Sequence, residues 1–212
     1  MSSHNHVSKV DLERLSKGIV VEIGSSREEN TSESSTEFFN TLCKKLNLPF
    51  YSVDFSPQSH QIAQSIVGKS AILMDGKLFL ESMESLTGAS KIAILYLDNF
   101  DVVYNSTHLA SLSQRIGDAY ERNGEILTNE RSAVVHFEQL EVALPRMSEL
   151  SIIVIDDTLQ KADSPNGWWG KGAYCVDFLL KSGWKLLISD NNGVLFTSPE
   201  LSLMYPHAEC AK

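Results

Sequence analysis

Five short, almost uninterrupted apolar runs, each closed by an acid and most followed by a helical pattern, constrain this sequence more than any other feature. They are "GIVVEIG" (18–24), "PFYSVDFS" (49–56), "AILM" (71–74, with Asp75 next), "KIAILYLD" (91–98) and "LSIIVIDD" (150–157). Runs this short, with little polar alternation, mark strands buried on both faces. Helical patterns lie between them. Ser35 and Thr36 can cap a helix carrying Phe38, Phe39, Leu42 and Leu46 on one face. Ser56 and Pro57 read as N-cap and first residue of another, with Ile62, Ala63, Ile66 and Val67 inside it and Gly68 ending it. Further helices are expected around 78–86, over 133–147 with Pro145 near its end, and over 173–183.

Near the end the period changes. "WKLLIS" and "VLFTS" flank "DNNG", a β-hairpin signal. The expected fold class is therefore α/β: a doubly wound, mostly parallel seven-stranded sheet, Rossmann-like, with a C-terminal β-hairpin giving one antiparallel strand. We expect one domain over 1–212 with its core at about 17–198, an extra helical insertion at 104–132 and a tail at 199–212. The insertion carries Leu109, Leu112, Ile116 and Ala119 and stops at Gly124. Such a helix packs into the core, shapes a substrate cleft or forms a homodimer interface.

Composition narrows the function classes. The chain of 212 residues is 42% hydrophobic and 21% charged, as a globular protein is. Lys+Arg 18 against Asp+Glu 27 leaves a net charge of −9, which argues against a nucleic-acid ligand. No apolar run reaches the roughly 20 residues of a membrane span, and the polar "MSSHNHVSKVDLERL" has no signal-peptide core. Cys43, Cys175 and Cys210 show neither metal-ligand spacing nor a disulfide framework, so a reducing cytoplasm is expected.

In a doubly wound sheet the ligand sits beyond the carboxyl ends of the strands. Here those ends carry Glu22 and Gly24, Asp54, Asp75 and Gly76, Asp98, and Asp156 with Asp157. Any one of them reads equally well as a turn former or helix cap; five in register read as a site.

The ordered set "VVEIGSS", "SSTEFF", "YSVDFS", "LMDGK", "LYLDNFD" and "IIVIDDT" resembles the class I S-adenosylmethionine-dependent methyltransferases, nearest to small-molecule O-methyltransferases of the catechol and macrolide-sugar type. The resemblance implies a small-molecule substrate and S-adenosyl-L-methionine as cofactor. It implies that Glu22 and Gly24 form the turn beneath the methionine part, and that Ser25 and Ser26 offer N–H groups to its carboxylate, with Thr36 starting the first helix. It places Asp54 on the ribose hydroxyls, Asp75 with Gly76 near the adenine, and Asp98 close to the transferred methyl. It further implies Mg2+ held by Asp98, Asp156 and Asp157. An acidic loop suits a sulfonium cation better than the pyrophosphate of a dinucleotide, which needs glycines and a helix N-terminus.

The sequence departs from the catechol-type pattern at Asn99, Phe100 and Asp101, where that pattern has a lysine base, and at Asp157, where it tends to have Asn. General-base candidates are Asp101, His136 and Lys171; His136 reads also as an ordinary helix-surface or half-buried imidazole. "SPNGWWGKGAY" (164–174) reads either as a flexible lid with an aromatic wall or as a loop anchored by its tryptophans. The leading expectation is a methyltransferase acting on a small-molecule hydroxyl. The alternative is a non-catalytic S-adenosylmethionine or nucleoside binder of the same fold. An NAD-dependent oxidoreductase ranks last, for want of GxGxxG and of a Tyr-x-x-x-Lys or Cys/His set.

Overall fold

The computed structural model describes residues 2–27, 34–103, 117–118, 120–121, 124, 126–164 and 166–204. The five apolar runs become strands β1 (Ile19–Ile23), β2 (Phe50–Asp54), β3 (Ala71–Leu73), β4 (Ile92–Leu97) and β5 (Met147–Asp156). Two strands that the sequence reading did not separate, β6 (Thr158–Gln160) and β7 (Trp168–Gly170), pair as an antiparallel ribbon of their own. The hairpin supplies β8 (Lys185–Ser189) and β9 (Gly193–Thr197). The main sheet has the order β3-β2-β1-β4-β5-β9-β8. β1 to β5 run parallel, and β9 lies antiparallel to both β5 and β8. The fold is the expected Rossmann-like sheet with one reversed strand.

Six helices join the described strands: α1 (Ser35–Leu46), α2 (Pro57–Val67), α3 (Gly76–Thr87), α4 (Asn129–Ala143), α5 (Cys175–Lys181) and the short α6 (Pro199–Ser202). Alternate residues of the central strands face opposite layers. Val21, Ile23, Leu95, Leu97, Ile153 and Ile155 pack with Phe79 and Leu80 of α3, Leu140 of α4 and Leu179 of α5. Val20, Ile94, Tyr96, Ile152 and Val154 pack with Phe39 of α1, Leu201 of α6 and Val7 of an N-terminal 3-10 turn. Glu22 shares the face of Val20 and so points toward α1. That parity makes one buried carboxylate part of the α1 layer.

Several boundaries differ from those expected. The cap of α1 is Ser34, which accepts the Glu37 N–H, one residue before the expected pair. The shift leaves Thr36 inside the first turn, where its hydroxyl reaches Glu22. α4 starts four residues early because Thr128 caps it, and Pro145 sits in a 3-10 turn after its end. α5 is shorter than 173–183 at both ends. β5 begins at Met147, whose pairing with Ile92 extends the strand through a register slip. The tail opens with α6, whose buried Leu201 belongs to the core. Leu109, Leu112, Ile116, Ala119 and Cys210 lie outside the described residues.

The switch in strand order falls between β1 and β4, and these two strands join tightly at their ends. The Asp98 N–H donates to the Ile23 carbonyl at 2.8 Å, and the Gly24 N–H to Val53 at 2.8 Å. Gly24 has φ +97°, and a Cβ there would overlap the backbone of Asp98 and Asn99. Only glycine combines that dihedral with that approach. Gly24→Ala is therefore expected to lower the unfolding free energy by roughly 1–3 kcal/mol, read from urea denaturation, with an unchanged far-UV spectrum below the transition.

Candidate functional site

The parallel strands deliver their terminal acids to one edge of the sheet. Asp98 follows β4, Asp156 ends β5 and Asp157 comes next, and a carboxylate oxygen from each lies within 4.8 Å of the others. The Lys171 ammonium sits among them. Its Nζ lies 2.5 Å from Asp98 Oδ1, 3.1 Å from Asp157 Oδ2 and 3.7 Å from Asp156 Oδ2. It also donates to the Asp98 carbonyl at 3.3 Å, and the residue is only 1% exposed. Burial works against this charge, but Asp98, Asp157 and Asp156 outweigh it and hold the lysine pKa well above its ordinary value. Burial likewise opposes ionisation of Asp98, and the Lys171 charge overcomes it to keep that carboxylate below its usual range. Burial together with the charge of Asp98 pushes Asp156 well above it, against the opposing pull of Lys171.

The ribbon of β6 and β7 brings the lysine there. The Lys171 N–H donates to the Asp157 carbonyl at 3.1 Å, and the Gly172 N–H to Thr158 Oγ1 at 2.8 Å. Gly170, at φ +96°, lies so close to that same Asp157 carbonyl that a side chain would collide with it. Gly170 and Gly172 of the 164–174 segment thus serve close approach to Asp157 and Thr158. Trp168 is buried in the core, and Trp169 is half-buried in the ribbon. Asp157 and Phe100 carry φ of 44° and 57°. Left-handed backbone at non-glycine residues, here just past the ends of β5 and β4, is strain of the kind that gathers at functional sites.

Beside this cluster lies a second acid. Glu22 is fully buried; Oε2 accepts from Thr36 Oγ1 at 2.8 Å and from Ser52 Oγ at 2.6 Å. Burial raises its pKa to about 7, although hydroxyls of Ser35, Ser52 and Thr36 act in the opposite sense. Asp54 accepts the Ser25 N–H at 2.9 Å and the Ser56 N–H at 2.7 Å. Burial raises Asp54 above its normal range despite these bonds. The Ser26 N–H donates to Thr36 Oγ1 at 3.0 Å. The N–H groups of Ser25 and Ser26, expected to face a carboxylate ligand, are thus engaged within the protein. Asp75 is exposed and caps α3 through the Leu78 N–H, while Gly76 is buried against Ile23 and Gln139.

One face of α4 closes the site from the side. Ser132, His136 and Gln139 recur at helical spacing and all are fully buried. Ser132 donates to the Phe100 carbonyl at 2.8 Å. His136 Nδ1 lies 2.7 Å from the Ser132 carbonyl, which assigns the proton to Nδ1 and leaves a lone pair on Nε2. Burial, then the Lys171 charge, lowers its pKa to about 4, so the imidazole is neutral. His136 Nε2, Glu22 Oε1, Asn99 Oδ1 and both amide atoms of Gln139 are buried with no hydrogen-bond partner. Native interiors satisfy nearly all such atoms, so these are polar groups beside the cluster that the fold itself leaves unsatisfied. Asp101, two residues beyond Asn99, pairs with Arg27 at 2.8 Å and is partly exposed.

Sequence reasoning missed several of these groups. Arg27, Tyr96 (whose hydroxyl donates to Asp98 at 3.1 Å) and Ser3 (which donates to Asp156) carry no local signal. Ser132 and Gln139 had one: polar residues at the buried period of a helix, in register with His136. Burial raises the Cys43 thiol to about 12, and Cys175 is raised further still; both are free and buried.

No protein-family model matches the sequence, and neither does any curated protein. Solved structures do match. CalS11, a TDP-rhamnose 3'-O-methyltransferase of calicheamicin biosynthesis, aligns with a TM-score of 0.51 at 13% identity, over 92% of this chain and 77% of that one. A second structure of CalS11 gives 0.52. The O-methyltransferase NovP gives 0.50 at 12% identity, over 92% and 75%. This chain has their Rossmann-like methyltransferase fold. Identity this low speaks for the fold alone. No helix among the described residues is long and apolar enough to cross a membrane.

The buried Glu22 of this fold yields a pH signature. Its folded pKa of about 7 stands above the ordinary carboxyl value of 4.5, so its contribution to stability is full below about pH 4.5 and lost as pH rises through about 7. Glu22→Gln imitates the protonated form. Between about pH 5 and pH 8 the wild type should lose up to ~3 kcal/mol relative to this variant in urea unfolding. Comparing the two proteins cancels the titration of other groups such as His136. Parallel pH profiles would show that Glu22 ionises normally.

Proposed function

We propose that this protein transfers a methyl group from S-adenosyl-L-methionine to a hydroxyl of a small molecule. The observation that carries the reading is the placement of the strand-end acids Asp54 and Asp98 at the strand switch of a fold shared with O-methyltransferases, one of them a TDP-rhamnose 3'-O-methyltransferase. S-adenosylmethionine, when bound, supplies an electrophilic methyl on a sulfonium sulfur. The residues available to hold it are Asp54, whose carboxylate suits two vicinal hydroxyls, Gly24 and Asn99 at the switch, and Gly76 with Gln139 behind β1. Glu22 is too deeply buried for direct contact and positions the first turn of α1 through Thr36. An excess of acids over bases at this edge favours a cationic ligand.

Lys171 is locked as an ammonium and is a poor base, and His136 has no exposed atom through which to meet an acceptor. Asp101 joins a carboxylate to partial exposure, so it is the group to accept the hydroxyl proton, with Arg27 orienting it. Asp98 fixes the charge balance beside it. The Mg2+ assistance that the sequence resemblance implies does not fit this donor set: the three carboxylates are of the right chemistry, but an ammonium already lies among them. No step is assigned to a metal.

Calorimetric titration with S-adenosylhomocysteine tests the reading. Binding is expected in the wild type and is expected to weaken about 10- to 100-fold in Asp54→Ala, the cost of hydrogen bonds to a charged group. Binding of neither cofactor form would remove both the enzyme and the alternative of a non-catalytic binder. Binding without methyl transfer to any of a panel of sugar and phenol hydroxyls would favour the latter.

A further inference from the structure

We infer that the Lys171 ammonium is the resident cation of the Asp98–Asp156–Asp157 cluster, in the place where a divalent ion would otherwise sit, so that the native protein has no divalent-cation site there. The inference concerns the cluster's own geometry and stands independently of the methyl-transfer reading.

Three carboxylates whose oxygens lie within 4.8 Å of one another repel, and the cluster needs a cation. A magnesium ion would meet that need with oxygens at about 2.0–2.1 Å and several retained waters. Lys171 meets it differently. Its three N–H donors face Asp98 Oδ1 at 2.5 Å, Asp157 Oδ2 at 3.1 Å and the Asp98 carbonyl at 3.3 Å, with Asp156 Oδ2 at 3.7 Å. An ion bridging the same oxygens would have to occupy the space of Nζ or lie beside a second positive charge.

The second observation is that the lysine is built in rather than draped over the site. Its side chain is 2% exposed. Its own N–H is tied to the Asp157 carbonyl, the Gly172 N–H to Thr158 Oγ1, and Gly170 fits against Asp157 only because it lacks a side chain. The β6–β7 ribbon, which follows directly on β5 and is anchored in the core by Trp168, thereby holds one ammonium at one point. Withdrawing it would mean parting β7 from β6 and leaving the acids uncompensated.

The test uses Mn2+ as the probe, with the whole chain freed of metal by a chelator and free Mn2+ followed by electron paramagnetic resonance. Wild type should leave Mn2+ free up to about 1 mM, the weak end of carboxylate sites. Lys171→Ala should bind a single Mn2+ at least about tenfold more tightly, and adding Asp157→Asn should abolish that binding. Because removing the lysine leaves buried charges unpaired, the variant is expected to melt at lower temperature and to be restored by Mn2+. Recovery from an unfolded start counts as support. A single tight Mn2+ in the wild type that Asp157→Asn removes would overturn the inference. So would a Lys171→Ala protein that Mn2+ neither binds nor stabilises.

Discussion

One ammonium sits among the acids that the ends of β4 and β5 bring together. Taking a charge out of water costs several kcal/mol, and three neighbouring carboxylates multiply that cost. Lys171 offsets it by making contacts to Asp98, Asp156 and Asp157 at once, while Tyr96 and Ser3 take further carboxylate oxygens. Much else in the architecture follows from this contact. The β6–β7 ribbon carries residue 171 to the acids. Gly170 permits its approach, and the left-handed backbone of Asp157 turns that carboxylate toward it.

Around this centre the protein keeps polar groups in a dry interior and uses them to set protonation. Burial raises Glu22 to about 7 and lowers His136 to about 4, and it raises Asp156 while Lys171 holds Asp98 below its usual range. The shifts of Glu22, His136 and Asp156 come chiefly from loss of water, and that of Asp98 from Lys171, so a ligand that enters the site and brings its own polar atoms would reset several at once. The unpartnered atoms of Asn99, His136 and Gln139 are the places where that would be felt first. Shared fold and open polar groups together make methyl transfer the reading that uses the most of what is present.

Much of the fold was legible in the chain. Buried parallel strands read as continuous apolar runs because both faces are covered, and the Asp-Asn-Asn-Gly turn announces its hairpin through local dihedral preference. Ser56-Pro57 and Gly68 bound α2 as capping chemistry dictates. Local signals failed where the competition was tertiary. Ser34, Ser35 and Thr36 are all able caps, and Glu22 decides among them by taking the hydroxyl of Thr36. The glycines of 164–174 read as a flexible lid or, with the tryptophans, as an anchored loop; the segment forms a ribbon with Trp168 in the core, and Gly170 lies against the Asp157 carbonyl.

What the sequence alone determined was the strand alternation, the reversed last strand and the gathering of acids at one sheet edge, because these depend on periodicity and on the direction of parallel strands. What only the tertiary structure decided was the state of those acids. Asp98, Asp156 and Asp157 are compatible in sequence with a divalent ion; their cation is instead a lysine brought from beyond β7. Charge and protonation depend on distance and water exclusion, and neither is written in the spacing of residues along a chain.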